Sequence, residues 1–347
     1  MYCKLKALAA QGVSIHLHAF LYHRKPAPEL ERYCSWVHYY DRHVNKTLLL
    51  HRLPYIVVSR LNDDLKKQLM KDDRPVLLEG LHTTALLADA DLSGRKMAVR
   101  THNIEHEYYR GLARYEKNVF KKYYFRQEAA KLEAWEPVLE KAHGIAAISP
   151  ADTLHFRELN PATTYIPAFH PFSDITSAPG IGNFALYHGN LSVAENHQAA
   201  LFLVENVFSK LSYPLVIAGN HPAKELQNAV KEHAHITLQA NISTDEMEKL
   251  IHDAHIHVLP TFQDTGIKLK LLYALYSGRH CVVNTLMVRQ TGLEELCYIC
   301  EDDASWVDTI KRLSEQPFAG EEKQKREIIL SGWNTAANAE KLIRILK

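Results

Sequence analysis

Two lysines, Lys268 and Lys270, stand in the first turn of an apolar helix predicted over Ile267 to Tyr276. The positive end of a helix dipole ordinarily favours Asp or Glu, so two cations there point to an anionic ligand. Unpaired backbone N–H groups at a helix start, joined by two ammonium groups, suit a phosphate or diphosphate. A solvated basic helix start is the alternative. The helix belongs to a strand-loop-helix-strand unit: a strand from His255 to Leu259, a polar loop from Pro260 to Gly266, the helix, a Ser277-Gly278 stop, and a strand from Cys281 to Asn284.

Ligands of open parallel sheets bind beyond the carboxyl ends of the strands. At that edge the second half of the chain offers His188-Gly189-Asn190, Gly219-Asn220, Asn241 to Thr244, and the loop containing Thr265 and Gly266. Glycine lets backbone approach a ligand, and Asn190 and Asn220 are able to hydrogen-bond it, although each Gly-Asn also suits an ordinary turn. The first half offers the polar run Arg100-Thr-His-Asn-Ile-Glu-His-Glu107, which includes His102 and Asn103, and the Glu79-Gly80-Leu81-His82 turn. His102 suits donation to a sugar hydroxyl or phosphate near neutral pH, whereas a lone histidine such as His82 more often serves as a structural hydrogen bonder. Glu105, His106 and Glu107 lack the spacing of known zinc motifs, and no metal site is expected. The Cys297-Tyr-Ile-Cys300 pair has no second pair beside it and reads as two half-buried thiols near a short strand.

The elements that position these residues alternate. Met1 to Gln11 reads as an amphipathic helix closed by Gly12, followed by a strand from Val13 to Phe20. The chain thus opens on the helix of a βαβ unit, and the first strand and glycine loop of a doubly wound domain are expected to be missing. Further strands are expected at Leu53 to Val58, Pro75 to Leu78, Lys96 to Arg100 and Gly144 to Ile148. Helices are expected at Asp63 to Met70 and, as one long element, within Tyr108 to Ala142. Prolines and glycines punctuate Pro161 to Asn183, after which strands and helices alternate again from Phe184. The expected fold is α/β, with two Rossmann-like domains facing across a cleft: residues 1–167, a linker at 168–183, residues 184–330, and a final helix within 331–347 placed to pack back on the first domain.

Composition narrows the partners. At 347 residues two domains are expected, and a formal net charge of +1 with 23% charged residues predicts no nucleic-acid binding. Five scattered cysteines fit a reducing cytoplasm, and no apolar run is long enough to cross a bilayer. Walker, dinucleotide-binding and hydrolase-elbow motifs are absent from the sequence.

The run from Arg100 to Tyr109, the Ile148-Ser149-Pro-Ala-Asp152 turn, Tyr187-His-Gly-Asn190 with Glu195-Asn196, Ile217-Ala-Gly219, Leu250 to Pro260 and Gly266 to Ala274 resemble the retaining glycosyltransferases of family 4. The resemblance implies a GT-B fold, with acceptor bound mainly by the N-terminal domain and nucleotide-sugar donor mainly by the C-terminal one. It also implies retention of configuration with no cofactor and no absolute metal requirement. Carried onto this sequence, it sets Lys268 and Lys270 on the donor diphosphate, His102 near the transferred sugar, and Gly189, Asn190, Gly219, Asn220, Thr265 and Gly266 around the donor. Glu79, His82 and Asn103 fall on the acceptor side. Tyr273 stands where the family carries a ribose-holding glutamate, and Thr265 replaces a second one. The expected activity is hexose transfer from a nucleoside-diphosphate sugar to a glycan or lipid-linked acceptor, in the cytoplasm or peripherally at the inner face of a membrane. The alternative is a catalytically impaired GT-B protein that binds nucleotide or sugar as a scaffold partner.

Overall fold

The computed structural model describes all residues except 23, 24, 117, 263–268 and 290, and except the side chain of Tyr115. The chain divides into two compact units. The first comprises Met1–Pro171 and Trp333–Lys347; the second lies between Phe172 and Gly332.

The first unit contains β1 (His16–Leu21), β2 (Trp36–Asp41), β3 (Val76–Glu79), β4 (Met97–Arg100), β5 (Gly144–Ala147) and β6 (Thr163–Tyr165). All pairings are parallel, but they form two sheets, β1-β2 and β3-β4-β5-β6. Every residue of β4 and β5 is buried, as expected of parallel strands covered on both faces. On one face Leu78, Val99, Ile145 and Phe156 join the core; on the other Ala7 and Leu8 of the Tyr2–Ala10 helix meet Ala146, Ile166, Ala339 and Leu342. The last two residues belong to the final helix, Thr335–Leu346, which therefore packs within this unit.

Three expectations need correction. Leu53 to Val58 is not a strand: Pro54 is the N-cap of the short helix Tyr55–Val58, a place where its missing N–H costs no helical hydrogen bond, and the turn forms despite the β-branched run. The long helix is two, Glu105–Tyr115 and Val119–Trp135, the second capped by the Asn118 side chain, which accepts from the Lys121 amide at 3.1 Å. Strand β2 was not expected at all, its Trp-Val-His-Tyr-Tyr-Asp sequence being aromatic and polar where buried parallel strands are usually aliphatic.

The second unit has one six-stranded parallel sheet. Its strands are β7 (Ala185–His188), β8 (Leu215–Gly219), β9 (Ile236–Ala240), β10 (Ile256–Leu259), β11 (His280–Val283) and β12 (Tyr298–Ile299), in the order β12-β11-β10-β7-β8-β9. The order reverses between β7 and β10, and such a switch point opens a crevice at the strands' carboxyl ends. Helices connect the strands, including Ala194–Phe202, Thr244–Asp253 with its Ser243/Glu246 capping box, and Leu269–Ser277. Buried His257 and Val258 are flanked by Leu186 of β7 and by Cys281 and Val282 of β11, so the switch point rests on buried side chains.

Candidate functional site

At the switch point of the second unit, the chain leaves β7 through Gly189 and β8 through Gly219. A Cβ built on Gly219 would lie 1.9 Å from the Gly189 carbonyl oxygen, so the two backbones touch where any side chain would force them apart. Asn190 folds back on its own turn, accepting from the Ser192 amide at 3.2 Å and hydroxyl at 2.8 Å. Its carbonyl receives the Asn196 side-chain amide at 3.0 Å. Asn220 is exposed at the neighbouring edge, and beside it the Asn241 side chain accepts from the His221 amide at 3.0 Å.

Lys270 reaches this edge from the Leu269–Ser277 helix. Its Nζ lies 3.0 Å from Asn196 Oδ1, 3.4 Å from the Tyr187 hydroxyl, and 5.0 Å from the centre of the Tyr187 ring. Tyr187 is fully buried and donates its hydroxyl to the Asn196 carbonyl at 3.1 Å, and burial raises its pKa. His188, beneath, is pushed down to about 3 by burial and then by the Lys270 charge, and so remains neutral. Across from these groups, Thr261 donates its hydroxyl to Glu195, and Asn284 brackets the Thr261 backbone, accepting from its amide at 3.1 Å and donating to its carbonyl at 2.6 Å. The result is a cationic amine held by ordered polar groups beside a close backbone approach. That arrangement suits an anion with hydroxyl-bearing neighbours. Thr265, Gly266 and Lys268 lie outside the described residues.

Tyr273, three residues beyond Lys270, takes a different environment. Its ring meets Phe172 edge-on at 4.6 Å and packs against the cluster of Leu186, Ala218, Ile251 and Ala254. An apolar wall thus occupies the position where the resemblance expects a carboxylate.

In the first unit the structure brings Glu79 and His102 together. His102 Nε2 lies 3.2 Å from Glu79 Oε2, and the other carboxylate oxygen pairs with buried Lys4. Burial alone would raise the Glu79 carboxyl, but Lys4 and His102 override it and hold it at about 2. His82 stands 6.4 Å from His102, ring to ring, and burial together with the Arg60 charge lowers it to about 3. Asn103 follows His102 in the half-buried turn before the Glu105–Tyr115 helix. Arg100 is turned inward, donating to the carbonyls of Ala146, Ala147, Ile166 and Pro167 at 2.6–3.3 Å, which ties the ends of β5 and β6 to the loop bearing His102. His106 and His155 both face Glu136, at 3.2 and 2.6 Å, forming a separate buried pair of contacts.

Sequence reasoning passed over Lys4. Its signal is a charge among Leu5, Ala7 and Leu8 on the buried face of the first helix, which requires a buried partner. The two thiols of the Cys-x-x-Cys pair diverge. Cys300 is fully buried and directs Sγ to Ser305 and Thr309 at 3.4 Å, while Cys297 meets Cys281.

Residues 182–316 match the family model described as "Glycosyl transferases group 1". A relative from Klebsiella pneumoniae, an uncharacterized 44.6 kDa protein in the cps region, is 26% identical over 282 residues, covering 76% of this chain and 71% of the relative. Among solved structures, sucrose-phosphate synthase from Thermosynechococcus elongatus superposes with a TM-score of 0.67 at 15% identity, over 99% of this chain and 90% of that one. Anabaena HepE, in complex with UDP and glucose, gives 0.64 at 12% identity, over 99% and 95%. A mutant of S. aureus TarM, in complex with fondaparinux, alpha-GlcNAc-glycerol and UDP, gives 0.62 at 14%; it matches 84% of this chain, which spans only 58% of TarM's length. The fold is therefore the α/β GT-B architecture shared with these solved structures, and the match to the glycosyl transferases group 1 model spans residues 182–316.

Proposed function

We propose that this chain transfers a hexose from a nucleoside-diphosphate sugar to a glycan or lipid-linked acceptor, with retention of configuration. The observation that carries this reading is Lys270, whose ammonium is oriented by Asn196 and Tyr187 at the carboxyl edge of β7. A departing nucleoside diphosphate gains negative charge as the glycosidic bond breaks, and a preorganised cation there stabilises the transition state more than the ground state. Lys268 is assigned to the same diphosphate. Gly189 and Gly219 let the donor approach the backbone, and Asn190, Asn220, Thr265 and Gly266 complete the donor side. His102, oriented by Glu79, is assigned to the transferred sugar, with Glu79, His82 and Asn103 on the acceptor side. The UDP held by the HepE and TarM structures favours a uridine nucleotide. The reaction is placed in the cytoplasm or at the inner face of a membrane.

One observation favours a second reading, a catalytically impaired nucleotide-binding scaffold. Tyr273 lies in an apolar wall against Phe172 where a ribose-holding carboxylate is expected. Incubation with a panel of nucleotide sugars, reading nucleoside diphosphate release and thermal shift, separates the two. Release supports the transferase; a shift without release, for every donor and acceptor tried, supports the scaffold. Silence in both assays refutes both readings.

A further inference from the structure

Two arginines at the carboxyl edge of the first unit are anchored without being neutralised. Arg42, directly after β2, donates from Nε to the Ser59 hydroxyl at 2.8 Å and lies 4.8 and 5.3 Å from the ring centres of Tyr22 and Tyr55. Arg60, next to Ser59, donates to the Ile56 carbonyl at 2.5 Å. The His43 amide, donating to the Ser59 carbonyl at 3.0 Å, fastens the two stretches together. Both side chains are half-buried, and neither has an Asp or Glu within ion-pair distance among the described residues. Most of each guanidinium fork is thus left for another acceptor.

The carboxyl groups of this edge are engaged elsewhere or largely uncharged. Glu79 is taken by Lys4 and His102, and Glu128 by Lys131 and the Tyr55 amide. Glu105, which opens the helix after β4, is only 8% exposed and has no hydrogen-bond partner among the described residues. Burial raises its carboxyl to about 7 even though the Arg60 charge pulls it down. Burial, and then the Arg42 charge, lower Arg60 to about 10, so it stays protonated. Both positive charges also reach His82, whose ring makes no hydrogen bond among the described residues. Two like charges that depress each other, beside a half-neutral acid, leave this edge short of an anion. Guanidinium groups held in place match the oxygens of phosphate or carboxylate.

We propose that Arg42 and Arg60 bind an anionic group of the acceptor, the phosphate of a sugar phosphate or the carboxylate of a sugar acid, while His82 and Glu105 meet its hydroxyls. The inference rests on the glycosyl-transfer reading and narrows its acceptor to an anionic one.

The experiment is calorimetric titration of the full chain, without donor, using glucose 6-phosphate, glucuronate and glucose as probes. At least one anionic probe is expected to bind while glucose does not, and the tighter of the two tells phosphate from carboxylate. Arg42→Gln and Arg60→Gln should each weaken that binding by about tenfold or more, the loss of a charge-assisted hydrogen bond. Arg42→Lys and Arg60→Lys keep the charge but not the fork and should weaken it less; they keep the test standing where a glutamine variant melts early. Lys270→Ala should leave it unchanged. The proposal is overturned when neither anion binds, when glucose binds equally well, when both arginine variants keep full affinity, or when Lys270→Ala abolishes the binding instead. UDP titrated separately reports the donor side. UDP binding with neither anion bound refutes this inference alone, whereas anion binding through the arginines with no nucleoside diphosphate release from any nucleotide sugar refutes the transferase alone.

Discussion

The ammonium of Lys270 lies 3.0 Å from the side-chain oxygen of Asn196, a residue 74 positions earlier in the chain. The Asn196 side chain in turn donates to the Asn190 carbonyl, and its oxygen accepts the Tyr187 hydroxyl at 3.4 Å, so one side chain couples the start of the Leu269–Ser277 helix to the loop after β7. Both of these Lys270 contacts are to neutral oxygens, which help hold the amine in place.

Lys270→Ala should therefore weaken nucleoside diphosphate binding by about ten- to a hundredfold, the loss of one charge-assisted hydrogen bond. Calorimetric titration with UDP measures it. Asn196→Ala should weaken binding less, because it frees the amine without removing it. Unchanged affinity in Lys270→Ala removes the diphosphate assignment.

His102→Ala should lower turnover by about a hundredfold while leaving UDP affinity within about twofold, if the ring acts on the transferred sugar. Glu79→Gln removes the partner of buried Lys4 and should cost about 3 kcal/mol or more of stability. Chemical denaturation reads the latter. Because the Glu79 carboxyl is held near 2, below its unfolded value, its stabilising contribution is present above the ordinary carboxylate range and is lost as pH falls towards 2.

Buried neutral histidines, His82 in the first unit and His188 and His257 in the second, should make both units lose stability in acid milder than that which protonates Glu79. Burial and the Lys270 charge hold His188 at about 3, while burial and neighbouring positive charge keep His257 well below its usual value. Both rings are neutral when folded and take up protons on unfolding below about pH 6.5, so stability should fall between pH 6.5 and 3 by up to about 1.4 kcal/mol per pH unit for each. His257 Nε2 donates to the Ile251 carbonyl at 3.0 Å, a role that asparagine retains in part. A His257→Asn variant should show a shallower loss of melting temperature between pH 7 and 5; an unchanged slope contradicts the assignment.

Gly219→Ala should destabilise by about 3 kcal/mol or more, since its methyl group would displace the Gly189 backbone. Gly320→Ala, where a Cβ meets nothing within 4 Å, should change stability by no more than about 0.5 kcal/mol. Thermal melts of the two variants make the comparison. Equal stability would show that the edge of β8 yields freely.

The second unit was largely legible in the sequence because its strands are short aliphatic runs with glycine or asparagine at the carboxyl edge. β7, β8 and β9, which lead into Gly189, Gly219-Asn220 and Asn241, follow that pattern closely. The first unit was harder to read. Pro54 redirects Ile56, Val57 and Val58 into a helical turn although their side chains favour strands, and β2 hides behind Trp36, His38 and Tyr40. Lys270 and His102 are proposed from the element ends on which they stand. Lys4 and Asn196 matter through partners 75 and 74 residues away, and such pairings exist only after the sheet has formed.

The separation of β1-β2 from β3-β4-β5-β6 leaves both β1 and β3 bonded to a neighbouring strand on one side only, among the described residues. A row of backbone donors and acceptors without a ladder partner is a template for any extended polypeptide that meets it. With β2 and β6, the first unit thus has four strand edges, among the described residues, where strand addition can begin, and concentration-dependent aggregation should start there before the core melts. A growing intermolecular β-sheet band in infrared spectra, with the native melting temperature unchanged, would be its signature.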